Sequence, residues 1–233
     1  MTDMILVLRA MVDSLSYHGV VLLRVLLIPI IILLVLKFEV LPNANSKVWV
    51  RTLAFFYMIV YAFALMWVFR ILIIGPQAIP QWGSYKLSKS SVYFVLYIVC
   101  LFIVLYLISY GIYSSLPYPI SWVIFSIIKI YLLARVMLVF PAITVNAYFS
   151  FTSSWRRTKN HQTLMLLTAF IVVFLREFSK FISNQFLFET VFFNFMIEIA
   201  TWVLILALLS ETFKLVEMQN RTRLSRSKNS IIG

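Results

Sequence analysis

Five ionisable side chains interrupt apolar runs of this sequence, and these are the positions where chemistry would first be sought. They are Lys129, Arg135, the doublet Arg176 and Glu177, and Glu198. An unpaired charge at the centre of a bilayer costs about 3 kcal/mol or more, so such residues pair with one another or line a polar path. The chemistry that they suggest is movement of an ion, a proton or a charged solute.

Lys129 and Glu198 have opposite signs and lie near the middle of two different apolar runs, which predicts an ion pair between them. Asn194 and Thr201 share the helical face of Glu198, at i−4 and i+3. We therefore predict an intramembrane polar seam composed of Lys129, Arg135, Asn194 and Glu198. The seam is either a path for an ion or solute or a structural pair that fixes helix packing. The small number of polar residues favours the structural pair.

A second group of charged residues follows the apolar run that ends at Pro141. Beyond an amphipathic patch, Trp155, Arg156, Arg157 and Lys159 precede the next apolar run. Tryptophan settles at the level of the lipid headgroups, and arginine and lysine settle beside anionic lipid on the cytoplasmic face. These four residues therefore predict an interfacial connector that contacts anionic headgroups.

The sequence offers little for catalysis or metal binding. It has no Walker loop, no GxSxG, no HExxH and no carboxylate cluster. His18 and His161 lack acidic or cysteine neighbours, and the single Cys100 excludes an intramolecular disulfide. We expect no enzyme activity, no cofactor and no metal. A membrane-embedded lipid enzyme with unfamiliar residues is the weakest alternative.

The composition indicates a membrane protein. Hydrophobic residues make up 63% of the chain, charged residues 12%, and the mean hydropathy is +0.98, which is too apolar for a water-soluble domain. The net charge of +12 comes from basic residues at the ends of apolar runs and in the C-terminal tail. That placement is typical of orientation in a bilayer, so no nucleic-acid partner is expected.

Apolar runs recur along the chain and predict an all-α polytopic protein with short interfacial helices. A span needs about 20 apolar residues. An amphipathic stretch at residues 4–15 predicts either a surface helix or a cytoplasmic extension of the first span. Gly75 and Pro76 predict the end of the second span. The predicted domain, residues 1–218, has six spans, at residues 20–40, 50–74, 92–113, 120–140, 163–188 and 191–209, and residues 219–233 form a basic cytoplasmic tail.

Six spans place both termini on one side of the membrane, and the distribution of basic residues indicates which side. The side of the termini carries Arg9, Lys86, Lys89, Arg156, Arg157, Lys159, Arg221, Arg223, Arg226 and Lys228. The opposite side carries mainly Lys37, Lys47, Arg51 and Lys180. Because lysine and arginine accumulate in cytoplasmic segments, both termini are predicted to be cytoplasmic.

Two stretches resemble segments of known bacterial membrane proteins. Residues 69–97 contain FRILIIGPQAIPQW, and residues 134–167 contain ARVMLVFPAITVNAYFSFTSSWRRTKNH. They resemble YciC-like proteins of uncharacterised function and the membrane domain that precedes some glycerophosphodiester phosphodiesterases. The second stretch is matched by Arg135, Pro141, Ala142, Ser154, Trp155, Thr158, Lys159 and Asn160. The resemblance implies a six-span bacterial inner-membrane protein. The phosphodiesterase activity does not transfer, because the chain lacks that domain.

The sequence therefore predicts a multi-pass protein of the cell inner membrane with a structural, assembly or envelope-maintenance role. Its expected partners are membrane lipids, through anionic headgroups, and other membrane proteins. The alternative is a small transporter or channel subunit in which Lys129, Arg135 and Glu198 line the path.

Overall fold

A computed structural model describes residues 2–36, 47–75, 77, 89–145, 151–185 and 191–232. Every regular element within these ranges is helical, which confirms the all-α prediction for this part of the chain. Most of the residues that join the predicted first and second spans, and most of those that join the second and third, lie outside the described residues. The helices are α1 Thr2–Val35, α2 Lys47–Ile74, α3 Lys89–Ser115, α4 Ile120–Val136, α5 Val139–Thr144, α6 Phe151–Lys159, α7 Gln162–Gln185 and α8 Val191–Ile232.

Within the described ranges, five helical segments are long and apolar enough to cross a membrane, which indicates a membrane-embedded protein. The predicted fifth span is helix α7, but α7 is not among the five. Its second half carries Arg176, Glu177 and Lys180 within five positions, and these charges lower its apolar character. The five segments are Thr2–Val35, Phe56–Ile74, Lys89–Ser115, Ile120–Thr144 and Phe193–Thr222.

Helix α1 is continuous from Thr2 to Val35, so the amphipathic stretch at its start extends the first span and is not a separate surface helix. Its 34 residues measure about 51 Å at about 1.5 Å per residue, whereas the hydrocarbon core is about 30 Å thick. Met4 and Val7 are buried in the core of the protein. The N-terminal extension therefore packs against the rest of the bundle.

The C-terminal end of α2 follows the predicted glycine stop. Gly75 has a φ of 98°, in the left-handed region that glycine enters without steric penalty. Its amide donates a hydrogen bond to the carbonyl oxygen of Ile71 at 3.0 Å. This bond uses one of the carbonyl groups that the helix end would otherwise leave unpaired.

The fourth apolar run differs from the prediction, because it breaks into two helices. Helix α4 ends at Val136, and after a turn the short helix α5 begins at Val139. Pro141 lies in the first turn of α5, where a missing amide hydrogen costs no intrahelical bond. All six residues of α5 are buried, so this part of the predicted amphipathic connector belongs to the core.

Polar contacts show how the helix ends are grouped. Arg70 on α2 donates one hydrogen bond to the carbonyl oxygen of Thr144 on α5 and another to Oγ of Ser90 on α3, each at 3.0 Å. Asp3 and Thr222 line one groove with the start of α7, so the start of α1 and the C-terminal part of α8 lie together. We call this end of the bundle, where α5 and α6 also lie, the α6 end.

Large apolar side chains cover much of the outer surface. Leu23 on α1 is 70% exposed and Leu107 on α3 is 61% exposed. Continuous apolar surface of this kind marks contact with lipid or with another protein. The core lies where α2, α5 and α8 meet, and Val139, Ala142 and Leu208 are fully buried there.

Candidate functional site

The charged residues inside the bundle come to a common level. Lys129 lies nine residues after the start of α4, Glu177 eight residues before the end of α7, and Glu198 seven residues after the start of α8. At about 1.5 Å per residue, these positions lie about 10 to 14 Å from the helix ends opposite the α6 end. Three helices therefore bring their charges to a similar depth.

Lys129 forms its ion pair with Glu177 on α7. The Nζ atom of Lys129 lies 3.5 Å from Oε1 of Glu177, and Lys180 contacts the same carboxylate at 3.2 Å. The side chain of Lys129 is only 13% exposed. The sequence predicted Glu198 as the partner, and the structure corrects this because α4 packs directly against α7.

An apolar cavity of about 300 Å³ lies between α2, α3, α4, α7 and α8. Nearly all of its surface is hydrocarbon, and Lys129 and Arg176 are the charged residues in its lining. Tyr61 also lines it, and the hydroxyl of Tyr61 is buried without a hydrogen-bond partner among the described residues. A buried tyrosine hydroxyl usually finds a partner. The cavity thus has apolar walls, with Lys129, Arg176 and the unpartnered hydroxyl of Tyr61 as the polar groups beside it.

A second, more polar cavity of about 380 Å³ lies between α7 and α8. Its lining includes Lys180, Asn194 and Glu198, so it brings together two of the predicted seam residues. The Oδ1 atom of Asn194 is buried and has no hydrogen-bond partner within the described ranges. The residues that line both cavities, and so form the boundary between them, are Arg176, Trp202 and Ile205.

Arg176 is the cation at this boundary. Lys129 and Lys180 are both engaged with Glu177, whereas Arg176 makes no ion pair or hydrogen bond with the residues that the structure describes. Its guanidinium is always charged and presents several donors in one plane. The sequence showed Arg176 only as half of a charged doublet. Its position inside an apolar run was the signal that could have singled it out.

Arg135 lies apart from the two cavities and takes part in an aromatic clamp. Its guanidinium carbon lies 5.3 Å from the ring centroid of Tyr131 and 5.3 Å from that of Trp155. The residue is 7% exposed, and its carbonyl oxygen accepts a hydrogen bond from Oγ of Ser154 at 2.7 Å. The clamp of Tyr131, Arg135 and Trp155 therefore fastens α6 to α4.

The four predicted interfacial residues have different surroundings on α6. Trp155 belongs to the aromatic clamp, and Arg157 forms an ion pair with Glu217 on α8. Arg156 and Lys159 are exposed. These two cations remain available for the anionic headgroups that the sequence predicted as partners.

Within the described ranges, no group of three or more histidine, cysteine, aspartate or glutamate residues is placed to hold a metal ion. Comparison of the chain with protein-family models, with curated proteins and with solved structures found no match. The functional inference therefore depends on the two cavities and the charges that line them.

Proposed function

We propose that this chain is a multi-pass inner-membrane protein with a structural or envelope-maintenance role, and that it acts by binding membrane lipid inside its helical bundle rather than by catalysis. The observation that carries the proposal is the apolar cavity with Lys129 and Arg176 in its lining. Ligand pockets typically have volumes of about 300 to 1,000 Å³, with apolar walls and a few polar groups. A lipid is the amphiphile that is always present at this depth.

The proposed topology has six membrane segments, with α7 as the sixth. Glu177 is paired with Lys129 and Lys180, and Arg176 lines the polar cavity, so each charge of α7 has either a partner or a polar lining beside it. The charge bias supports a cytoplasmic α6 end, with Arg156 and Lys159 near anionic lipid. The resemblance of residues 134–167 to YciC-like proteins supports a bacterial inner membrane.

Labelling of single cysteines tests this orientation. In a Cys100→Ser background, we expect a cysteine at Pro117 to react with an impermeant reagent in intact cells. The cysteine of a Lys159→Cys variant should react only after the membrane is permeabilised. The reverse pattern would place the α6 end outside.

Native mass spectrometry in a mild detergent tests the lipid-binding role. We expect the wild-type protein to retain one lipid. Leu105 lines the apolar cavity, so Leu105→Trp should fill the space and reduce retention. Leu107 is 61% exposed on the same helix, and Leu107→Trp is the matched control that should retain lipid. Absence of bound lipid from the wild type, or equal loss in both variants, would refute the proposal. A stoichiometric protein partner would instead favour an assembly role.

A small transporter or channel subunit is the second candidate, favoured by the polar cavity beside the apolar one. In that case Lys129 and Glu198 would line the path, and Arg135 would stay outside it in the aromatic clamp. Loss of solute flux in a folded Glu198→Gln protein would support transport. Unchanged flux would exclude it.

A further inference from the structure

We propose that the two cavities form one site for a phospholipid whose headgroup carries a phosphate and a primary ammonium, with an acyl chain in the apolar cavity. The proposal rests on the lipid-binding function proposed above and specifies the class of lipid. The shared lining residues Arg176, Trp202 and Ile205 make the cavities neighbours. A single amphiphile can therefore place its chain on one side of this boundary and its headgroup on the other.

Arg176 is suited to the phosphate. It lines both cavities, at the level where the headgroup of such a lipid would join its chain. Its planar guanidinium matches the geometry of phosphate oxygens and forms two parallel hydrogen bonds with them. Because Lys129 and Lys180 already contact Glu177, Arg176 is the cation that has donors to offer.

Asn194 and Glu198 are suited to the ammonium. They lie one helical turn apart on α8, and both line the polar cavity. The unpartnered Oδ1 atom of Asn194 needs a donor, since a buried acceptor without a partner is costly. A primary ammonium supplies three N–H donors and a positive charge opposite the carboxylate. A choline headgroup has no N–H to donate, and a glycerol headgroup has no positive charge.

The charges of the polar cavity agree with a zwitterionic headgroup. Both signs of charge are present in its lining: Arg176 and Lys180 lie on α7, where Lys180 also contacts Glu177, and Glu198 lies on α8 across the cavity. A headgroup with a phosphate at one end and an ammonium at the other offers the complementary pair. A glycerol headgroup donates to Asn194 only through hydroxyls and brings no positive charge to the side of Glu198.

Competition among lipids with identical acyl chains tests the headgroup without any substitution. The wild-type protein is delipidated, mixed with equimolar phosphatidylethanolamine, phosphatidylcholine and phosphatidylglycerol, and measured by native mass spectrometry. We expect retention of phosphatidylethanolamine about tenfold above the other two, the effect of about one charged hydrogen bond. Equal retention of the ethanolamine and choline lipids, or preference for the glycerol lipid, would overturn the proposal. Failure to retain any lipid would defeat the underlying lipid-binding function as well.

Variants then separate the two halves of the headgroup site. Arg176→Gln should reduce retention of all three phospholipids, because each carries a phosphate. Asn194→Leu should remove the preference for the ethanolamine lipid and leave total retention. Arg9→Gln removes the same charge from an exposed position on α1 and should change neither. Unchanged retention in Arg176→Gln, or displacement of the lipid by soluble phosphoethanolamine, would overturn the proposal.

Discussion

Lys129 illustrates how a single cation is accommodated inside an apolar bundle. Its side chain is 13% exposed and lines the apolar cavity, and Glu177 on the neighbouring helix supplies the opposing charge. The Glu177 side chain is 45% exposed, so removal of its charge leaves the largely buried ammonium of Lys129 without compensation. The ion pair thus holds α4 against α7 beside the proposed lipid site.

Neutralisation of Glu177 should destabilise the protein through Lys129. We expect Glu177→Gln to lower the free energy of unfolding by about 1.5 to 3 kcal/mol, the range for a hydrogen bond to a charged group. In a Lys129→Met background the same change should cost less, which gives a positive coupling energy. Unfolding in mixed detergent micelles, followed by circular dichroism, measures both.

The matched control for this double-mutant cycle combines Lys129→Met with Glu198→Gln. These residues line different cavities, so their effects should add within about 0.5 kcal/mol. Coupling of Lys129 with Glu198 and not with Glu177 would contradict the ion pair seen in the structure.

The depth of the charged residues was predictable from the sequence, but their pairing was not. The positions of Lys129 and Glu198 within apolar runs place both residues inside the bundle, and the structure agrees. A single sequence does not state which helices are neighbours. The sequence alone therefore could not identify Glu177, rather than Glu198, as the partner of Lys129. It also could not show that Arg176 is the cation without an ion-pair partner among the described residues.

One face of helix α6 packs against the bundle, and the opposite face is exposed. Ser154 and Thr158 are fully buried, whereas Arg156 and Lys159 are exposed. The aromatic clamp adds a contact between Trp155 and the guanidinium of Arg135. A helix of nine residues is too short to be stable alone, so these contacts determine whether α6 forms.

Removal of Trp155 should loosen α6. We expect Trp155→Ala to lower the free energy of unfolding by about 0.5 to 2 kcal/mol, the range for a cation–π contact, and to speed protease cleavage near residue 157. The control Arg156→Ala alters an exposed residue of the same helix and should shift stability by less than about 0.5 kcal/mol. Equal effects of the two substitutions, measured by circular dichroism, would argue against the clamp.

Most helices were predictable from the apolar runs because each run is bounded by turn residues or charges. The break between α4 and α5 was not predicted, because residues 136–140 remain apolar throughout. Its local signal is Pro141, which has no amide hydrogen to donate to the carbonyl oxygen of Met137 and whose ring would clash with that group in a continuous helix. The packing of α5 into the core against α2 and α3 is a tertiary contact that the local sequence does not predict.

At the scale of the whole molecule, the bundle separates an apolar outer surface from an interior that contains two adjoining cavities. Helices α2, α3, α4, α7 and α8 each contribute a wall of the apolar cavity, so no single helix predicts the space between them. The five apolar segments of the described ranges indicate that the bundle is embedded in a membrane, and the charge bias along the chain predicts its orientation. The two cavities are the places where the bundle would bind a ligand within the membrane.

The most direct test of the lipid-binding account is photocrosslinking with a phospholipid that carries a diazirine on its acyl chain. After irradiation in native membranes and digestion, mass spectrometry locates the adducts. If a lipid occupies the apolar cavity, we expect adducts on Leu133 and Leu206, which line it, and their loss in Leu105→Trp. Adducts confined to outward residues such as Leu23 and Leu107 would contradict it.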